Sequence, residues 1–314
     1  MSLRQTAAWA EVIDIAVLSD VALMKRLRLA SDWLGHLLAL KLMERAPPPQ
    51  LANPARHLRL VDATTINRPG STGTDWRVHL GFNLMDLKID SVEVTDVHGG
   101  ESLKRFHFSA HDLVVGDCGY AHRAGFHAVI SADADFLIRL NWQNVPLCDM
   151  AGKDFDILGA LRGISDATPT EFVVCTKAVP NSNIPAMPAR LLAVRKSEPA
   201  AKAARERVLR ERSKKSRTID PRTLEAAGYI MVLTSVPAEE LSARDGLELY
   251  RFRWQIELAF KRLKSLLHLG EVPTKDPPLT RSFLYAKFLA AIILEDLTEE
   301  FLSFSPWGHR LVRT

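Results

Sequence analysis

Five short segments between residues 58 and 141 read as β-strands bounded by turn-forming residues: LRLVDATTI from Leu58, WRVHLGFNL from Trp76, IDSVEVTDVHG from Ile89, DLVVGDCGY from Asp112 and DFLIRLN from Asp135. The first three follow one another directly, whereas the last two are separated by a helical stretch from His122 to Ser131. Three extended segments in succession, then strand, helix and strand, predict an α/β fold with a mixed sheet backed by helices.

Around this block the chain divides into further regions. Residues 1–55 read as helical, with apolar spacings of three and four at Leu23, Met24 and Leu27 and again from Trp33 to Leu38. Ser19-Asp20 and Ser31-Asp32 are candidate caps, so at least two helices are expected, either as a helix-turn-helix DNA reader or as a hairpin packed on the next domain. Pro47, Pro48 and Pro49 end them. Residues 56–141 hold the five strands, and 142–227 form an interrupting segment with strands at EFVVCTKAV and ARLLAVRK followed by a basic helical block. Residues 228–314 bring one more buried strand, YIMVLTSV, then helix from Ala238 to Leu269 and a core helix in SFLYAKFLAAIILEDL.

Composition excludes several classes. With 47% hydrophobic residues the chain can bury sizeable cores. It shows no apolar run of about twenty residues and no signal-peptide pattern, which points to a soluble intracellular protein. Cys118, Cys148 and Cys175 are odd in number and lack a CxxC pair, so they are expected as buried small hydrophobes rather than disulfide or zinc ligands. His107 and His111 have an i,i+4 spacing but no third ligand nearby, and there is no phosphate loop or dinucleotide fingerprint. The formal net charge of +4 is uneven: Arg195 to Arg217 holds ten Lys or Arg against three Glu. That block fits either a polyanion partner or a solvated helix face.

The residues that carry chemistry begin in LYRFRWQIELAFKRLKSLLHLG. Tyr250, Arg253, Glu257 and Lys264 fall at offsets of 0, 3, 7 and 14, which on a helix directs them to within about 60° of one another. One carboxylate thus lies beside two cations and a phenol, as a metal ligand flanked by phosphate-binding groups would, although Glu257 to Lys261 is also an ordinary i,i+4 pair. Upstream, Asp62 and Asp117 each follow an apolar strand, where an ionised carboxylate is costly unless something positive answers it. Taken singly, Asp62 could cap the turn that follows it and Asp117 could be a turn residue.

The whole pattern, Y-x2-R-x3-E-x6-K preceded by two strand-end aspartates, resembles the insertion-sequence four family of DDE transposases. The resemblance runs through most of the chain, including FLIRLN and KDPPLTRSFLYAKFLAAIILE. It implies a ribonuclease-H-like core interrupted by a mainly β insertion, with Asp62 at the end of the first strand, Asp117 at the end of the fourth and Glu257 as the third acid. The 140 residues from Asp117 to Glu257, against 55 from Asp62 to Asp117, leave room for the insertion.

By resemblance these three acids are catalytic and hold two Mg²⁺ or Mn²⁺ ions, which suit oxygen ligands. Arg253 and Lys264 would bind DNA phosphates and Tyr250 would position the DNA end. The implied partners are the element's inverted repeats and target DNA, acted on by a homodimer in the bacterial cytoplasm at the nucleoid. Trp142 would either pack or stack on an extruded base. Relatives usually carry more helix before the core than the fifty-five residues here, so partial loss of end recognition is expected. The alternatives are a truncated or regulatory DNA-binding protein without catalysis, and a nuclease of the same core that does not mobilise DNA.

Overall fold

The structure, a computed structural model, describes residues 2–44, 56–67, 70, 73, 75–83, 88–164, 168–213, 219–251, 253, 272 and 274–303. The chain starts with three helices, α1 (Leu3–Val12), α2 (Asp20–Leu29) and α3 (Ser31–Glu44). Ser19 caps α2, its hydroxyl accepting from the Ala22 amide at 3.1 Å, which meets a backbone donor that the first turn leaves unpaired. Both α2 and α3 pack on the last described helix, α9 (Pro277–Ser303). The Ser282 hydroxyl on α9 donates to the Leu27 carbonyl at 2.6 Å, so the helical hairpin is joined to the following core.

That core is built on one nine-stranded sheet in the order β3-β2-β1-β4-β5-β9-β8-β7-β6. Strands β1 (His57–Ile66), β2 (Trp76–Asn83) and β3 (Lys88–Asp96) form an antiparallel meander. Then β4 (Asp112–Gly116) pairs parallel to β1, and β5 (Asp135–Arg139) parallel to β4, the crossover being α4 (Arg123–Ile130). This mixed sheet, with helices on it, is the ribonuclease-H-like arrangement expected from the sequence. Residues 142–227 contribute β6 (Leu147–Cys148), α5 (Ile157–Arg162), β7 (Thr170–Thr176), β8 (Met187–Arg195), α6 (Glu198–Ser213) and α7 (Pro221–Ala226). Their strands extend the same sheet through β9 (Tyr229–Thr234), which lies antiparallel to both β5 and β8. Residues 243–251 are helical and form α8.

Alternation along the strands sorts apolar side chains to two faces, as a two-residue period requires. Val61, Val114, Phe136, Ile138, Leu191 and Leu233 join one buried cluster with Phe126 of α4; Leu58, Leu60, Leu113, Val115, Leu137 and Val232 join the other, with Leu247 of α8 and Leu284 and Phe288 of α9. Every residue of β4 is buried. That explains why it reads as a continuous apolar run, since a central parallel strand is covered on both faces. At the other end of these strands Arg59 links Asp90 at 2.8 Å and Asp112 at 3.2 Å.

Candidate active site

Two strand registers assemble the site. The β1–β4 pairing matches His57 with Asp112 and continues to Leu60 with Val115. Extended by two residues, it sets Asp62 opposite Asp117. The β4–β5 pairing matches Leu113 with Asp135 and continues to Gly116 with Ile138. One further step sets Asp117 opposite Arg139. All three side chains therefore stand in a row at the carboxyl end of three parallel strands, with neighbouring strands about 4.8 Å apart. By parity they share the sheet face of Leu60, Val115 and Leu137, which α8 and α9 cover.

Asp62 is not a cap and not the last residue of its strand, as the sequence suggested: β1 runs on to Ile66, held by β2, and only the pairing with β4 has ended. Its Oδ1 accepts the Ala63 amide at 2.8 Å. Burial pushes its carboxyl up to about 6, aided by the charges of Asp117 and Glu101 and opposed by the Ala63 amide and Arg253. Asp117 follows β4 and caps a 3₁₀ turn, Cys118–Tyr120, its Oδ1 accepting the Gly119 amide at 2.5 Å.

On α8, Tyr250 packs against the cluster under the same sheet face, and the Arg253 guanidinium stands 5.7 Å from its ring centroid. Burial raises the Tyr250 phenol, while Arg253 and Arg139 pull it down and Asp117 adds to the rise. Tyr250 and Arg253 are thus brought to the two aspartates, whereas Glu257 and Lys264 lie outside the described residues.

Sequence reasoning missed two neighbours. Arg139 ends β5, 22 residues after Asp117, a spacing that equals the register offset between β4 and β5 and that only the folded sheet reveals. Glu101 follows the turn after β3, and burial first, then Asp117, raises its carboxyl. Nothing in the local sequence HGGES marks it.

The donor set fits a hard divalent cation. Asp62 and Asp117 offer carboxylate oxygens, and their charges act on the Tyr120 hydroxyl, which is buried without a hydrogen-bond partner. Among the described residues no three His, Cys, Asp or Glu are grouped closely enough to form a metal cluster by themselves. His107 and His111 lie in a non-helical segment, with His111 at a φ of 69°, so their i,i+4 spacing does not place them on one helix face. The cysteines are free, but only Cys148 is buried; Cys118 and Cys175 are partly exposed, contrary to expectation.

The transposase DDE domain family matches residues 53–293. The chain belongs to the DDE transposase family. It is 40% identical over 308 residues, 98% of its length, to the protein named as a transposase of insertion sequence element IS186A in Escherichia coli (strain K12), covering 83% of that relative. It is 40% identical over 307 residues to the transposase of insertion sequence element IS421 of Escherichia coli, covering 97% of this chain and 82% of that one. A shorter match, 30% over 87 residues, 28% of this chain and 18% of the relative, is to the transposase of element IS231F of Bacillus thuringiensis subsp. israelensis. These relatives fit the insertion-sequence four assignment. Among solved structures, the piggyBac transposase synaptic complex with hairpin DNA matches with a TM-score of 0.42 at 7% identity over 78% of this transposase and 48% of that chain, too distant to carry any of the assignment.

In this transposase Trp142 is partly buried against the core. Its indole donates to Thr223 Oγ1 at 3.4 Å, and the Arg222 guanidinium lies 4.9 Å from its ring centroid. With Phe155, Arg162 and Lys177 it lines a cavity of about 420 Å³. No helix among the described residues is long and apolar enough to cross a membrane.

Proposed function

We propose that this transposase cuts the ends of an insertion sequence and joins the freed 3′-hydroxyl to target DNA, with Asp62, Asp117 and Glu257 as the catalytic carboxylates. The observation that carries the reading is the register alignment of Asp62 with Asp117 on the sheet face covered by α8, the helix whose sequence continues to Glu257. An insertion-sequence substrate is supported by the relatives' names.

The three carboxylates would hold two divalent cations, Mg²⁺ or Mn²⁺. Such ions, when bound, activate a water or a DNA 3′-hydroxyl and stabilise the leaving oxygen of the scissile phosphate. Asp62 would be kept ionised by that charge, which offsets the burial that raises it. Arg253 acts on Asp62, so it stands where it can bind a phosphate oxygen beside the reacting one, and Lys264 is assigned the same task. Tyr250 positions the DNA end. Two copies of the chain would pair two element ends, and work on DNA would keep the protein at the bacterial nucleoid.

The test is Mg²⁺-dependent cleavage of a labelled duplex carrying the DNA ends that flank the gene. The native chain is expected to cut at the element boundary, and Asp117→Ala to bind the duplex without cutting. Cleavage retained by Glu257→Ala in Mg²⁺ would overturn the residue assignment. Salt-sensitive binding with no cleavage by the native chain, even in Mn²⁺, would favour a regulatory role.

A further inference from the structure

We propose that the DNA strand held at the two aspartates continues across the carboxyl ends of β5 and β8, and that Lys196, just past the end of β8, binds a backbone phosphate on that path. This rests on the reading of Asp62 and Asp117 as the place of strand cleavage.

Both β5 and β8 lie antiparallel to β9, so they run the same way and end at the same edge of the sheet as β4. Register carries the row of Asp62, Asp117 and Arg139 onward to β8, because Arg139 pairs with Val232 and Val232 with Leu192. Both pairings continue past that row. The Leu140 amide donates to the Met231 carbonyl at 2.9 Å, and the Lys196 amide to the Gly228 carbonyl at 2.9 Å. Two residues beyond the row stand Asn141, Ile230 and Val194; two further on, Lys196 faces Gly228. By the two-residue period, Asn141 and Lys196 keep the sheet face of Leu137, Leu192 and Val232, which is also that of the aspartates.

Charge changes sign along this edge. No acid stands at these positions of β5, β9 or β8 beyond the row; there are only apolar residues, Gly228, the exposed Asn141 and two cations. Among the described residues neither Arg139 nor Lys196 forms an ion pair. Lys196 is half-buried and donates to the Ala227 carbonyl at 2.8 Å, which leaves two of the three ammonium donors for another acceptor. Burial first, and then the charge of Arg139, lowers its pKa. A partly desolvated cation whose charged neighbour is a second cation is costly until an anion joins them. A DNA backbone brings such anions at regular intervals, and the cations go on outward, since the chain enters α6, with its exposed Lys202 and Arg210, directly after Lys196.

The experiment is fluorescence anisotropy of the full-length protein with a labelled duplex carrying the DNA ends that flank the gene, over a range of salt. Lys196→Gln is expected to reduce the slope of log affinity against log salt by about 1, whereas Lys196→Arg keeps the native slope. A lysine that served only to close the end of α7 through the Ala227 carbonyl would leave that slope alone. The same duplex with single phosphates replaced in turn by neutral methylphosphonates locates the contact: the native chain loses affinity at one phosphate to one side of the cleavage position, and Lys196→Gln is indifferent to that replacement. A native slope in Lys196→Gln, or equal losses in variant and native chain at every phosphate, overturns the role of Lys196 and leaves the cleavage site standing. No binding of the duplex by the native chain overturns the reading on which the proposal rests. If Lys196→Gln does not fold, Lys196→Met is the second neutral variant, and a native slope in it overturns the proposal.

Discussion

At Asp62 the proposed function and the stability of the fold make opposing demands. Its carboxyl is raised from 3.8 to about 6, chiefly by burial. A folded value above the unfolded one means that the contribution to stability is full below pH 3.8 and is lost as pH rises through about 6. In the absence of metal the ionised side chain therefore costs about 3 kcal/mol above that window, at 1.36 kcal/mol per unit. Asp62→Asn is expected to be more stable than the native chain by up to that amount at pH 8 in EDTA, to match it at pH 3.5, and to have no cleavage activity. Urea unfolding at the two pH values measures this; a variant less stable than the native protein at pH 8 would show that Asp62 is held by contacts rather than strained by charge.

The elements around the site transmit position through pairing register. Strand β2 sits between β1 and β3 and carries a wholly buried histidine, His79, whose Nε2 lies 3.0 Å from Thr95 Oγ1 on β3. Burial first, then Arg105 and Arg77, lowers it to about 4. Here the sign is the reverse of Asp62: the neutral ring supports the fold fully above pH 6.5, and that support is lost as pH falls through about 4. The loss approaches about 3 kcal/mol. Replacing His79 by Gln, which can still bond Thr95 but does not titrate, is expected to flatten the fall in stability between pH 6.5 and 4. Parallel decline of variant and native chain in denaturant melts would exclude His79 as its source. On the opposite sheet face, α4 is seated by Phe126 stacked on Phe136 at 4.2 Å, which steadies the strands that end in Asp117 and Arg139.

Over the whole molecule, the basic block is only partly a free surface. Lys196 is turned inward, donating to the Ala227 carbonyl at 2.8 Å, and Arg205 and Arg207 pair with Glu198 and Glu211 at 3.1 and 3.0 Å. Lys202 and Arg210 remain exposed on α6. If this helix lies along DNA, replacing both by Gln should reduce the slope of log affinity against log salt by about 2 and weaken all duplexes alike. An unchanged slope in fluorescence anisotropy titrations would leave α6 as a solvated face. Because β8 and β9 pair along six residues, α6 is carried on the same continuous sheet as the carboxylates, so its position relative to the site is set by strand pairing and not by a flexible link.

The strands and the two aspartates were legible because each depends on neighbours in the chain: a short apolar run closed by turn residues identifies a strand, and a lone acid after it stands out against the cost of burying charge. The Tyr250-to-Lys264 spacing is likewise a local property of a helix, and of it Tyr250 and Arg253 lie among the described residues. Register is not local. That Asp62 meets Asp117, and Asp117 meets Arg139, follows from how three strands separated by 55 and 22 residues slide against one another, which is decided by packing on both sheet faces. Glu101 was not marked in HGGES because its place over Gly119 comes from the fold and not from its neighbours in the chain. The sequence by itself determined which groups could do this chemistry; the tertiary structure decided which of them meet, because only the folded sheet brings distant strand ends to one edge.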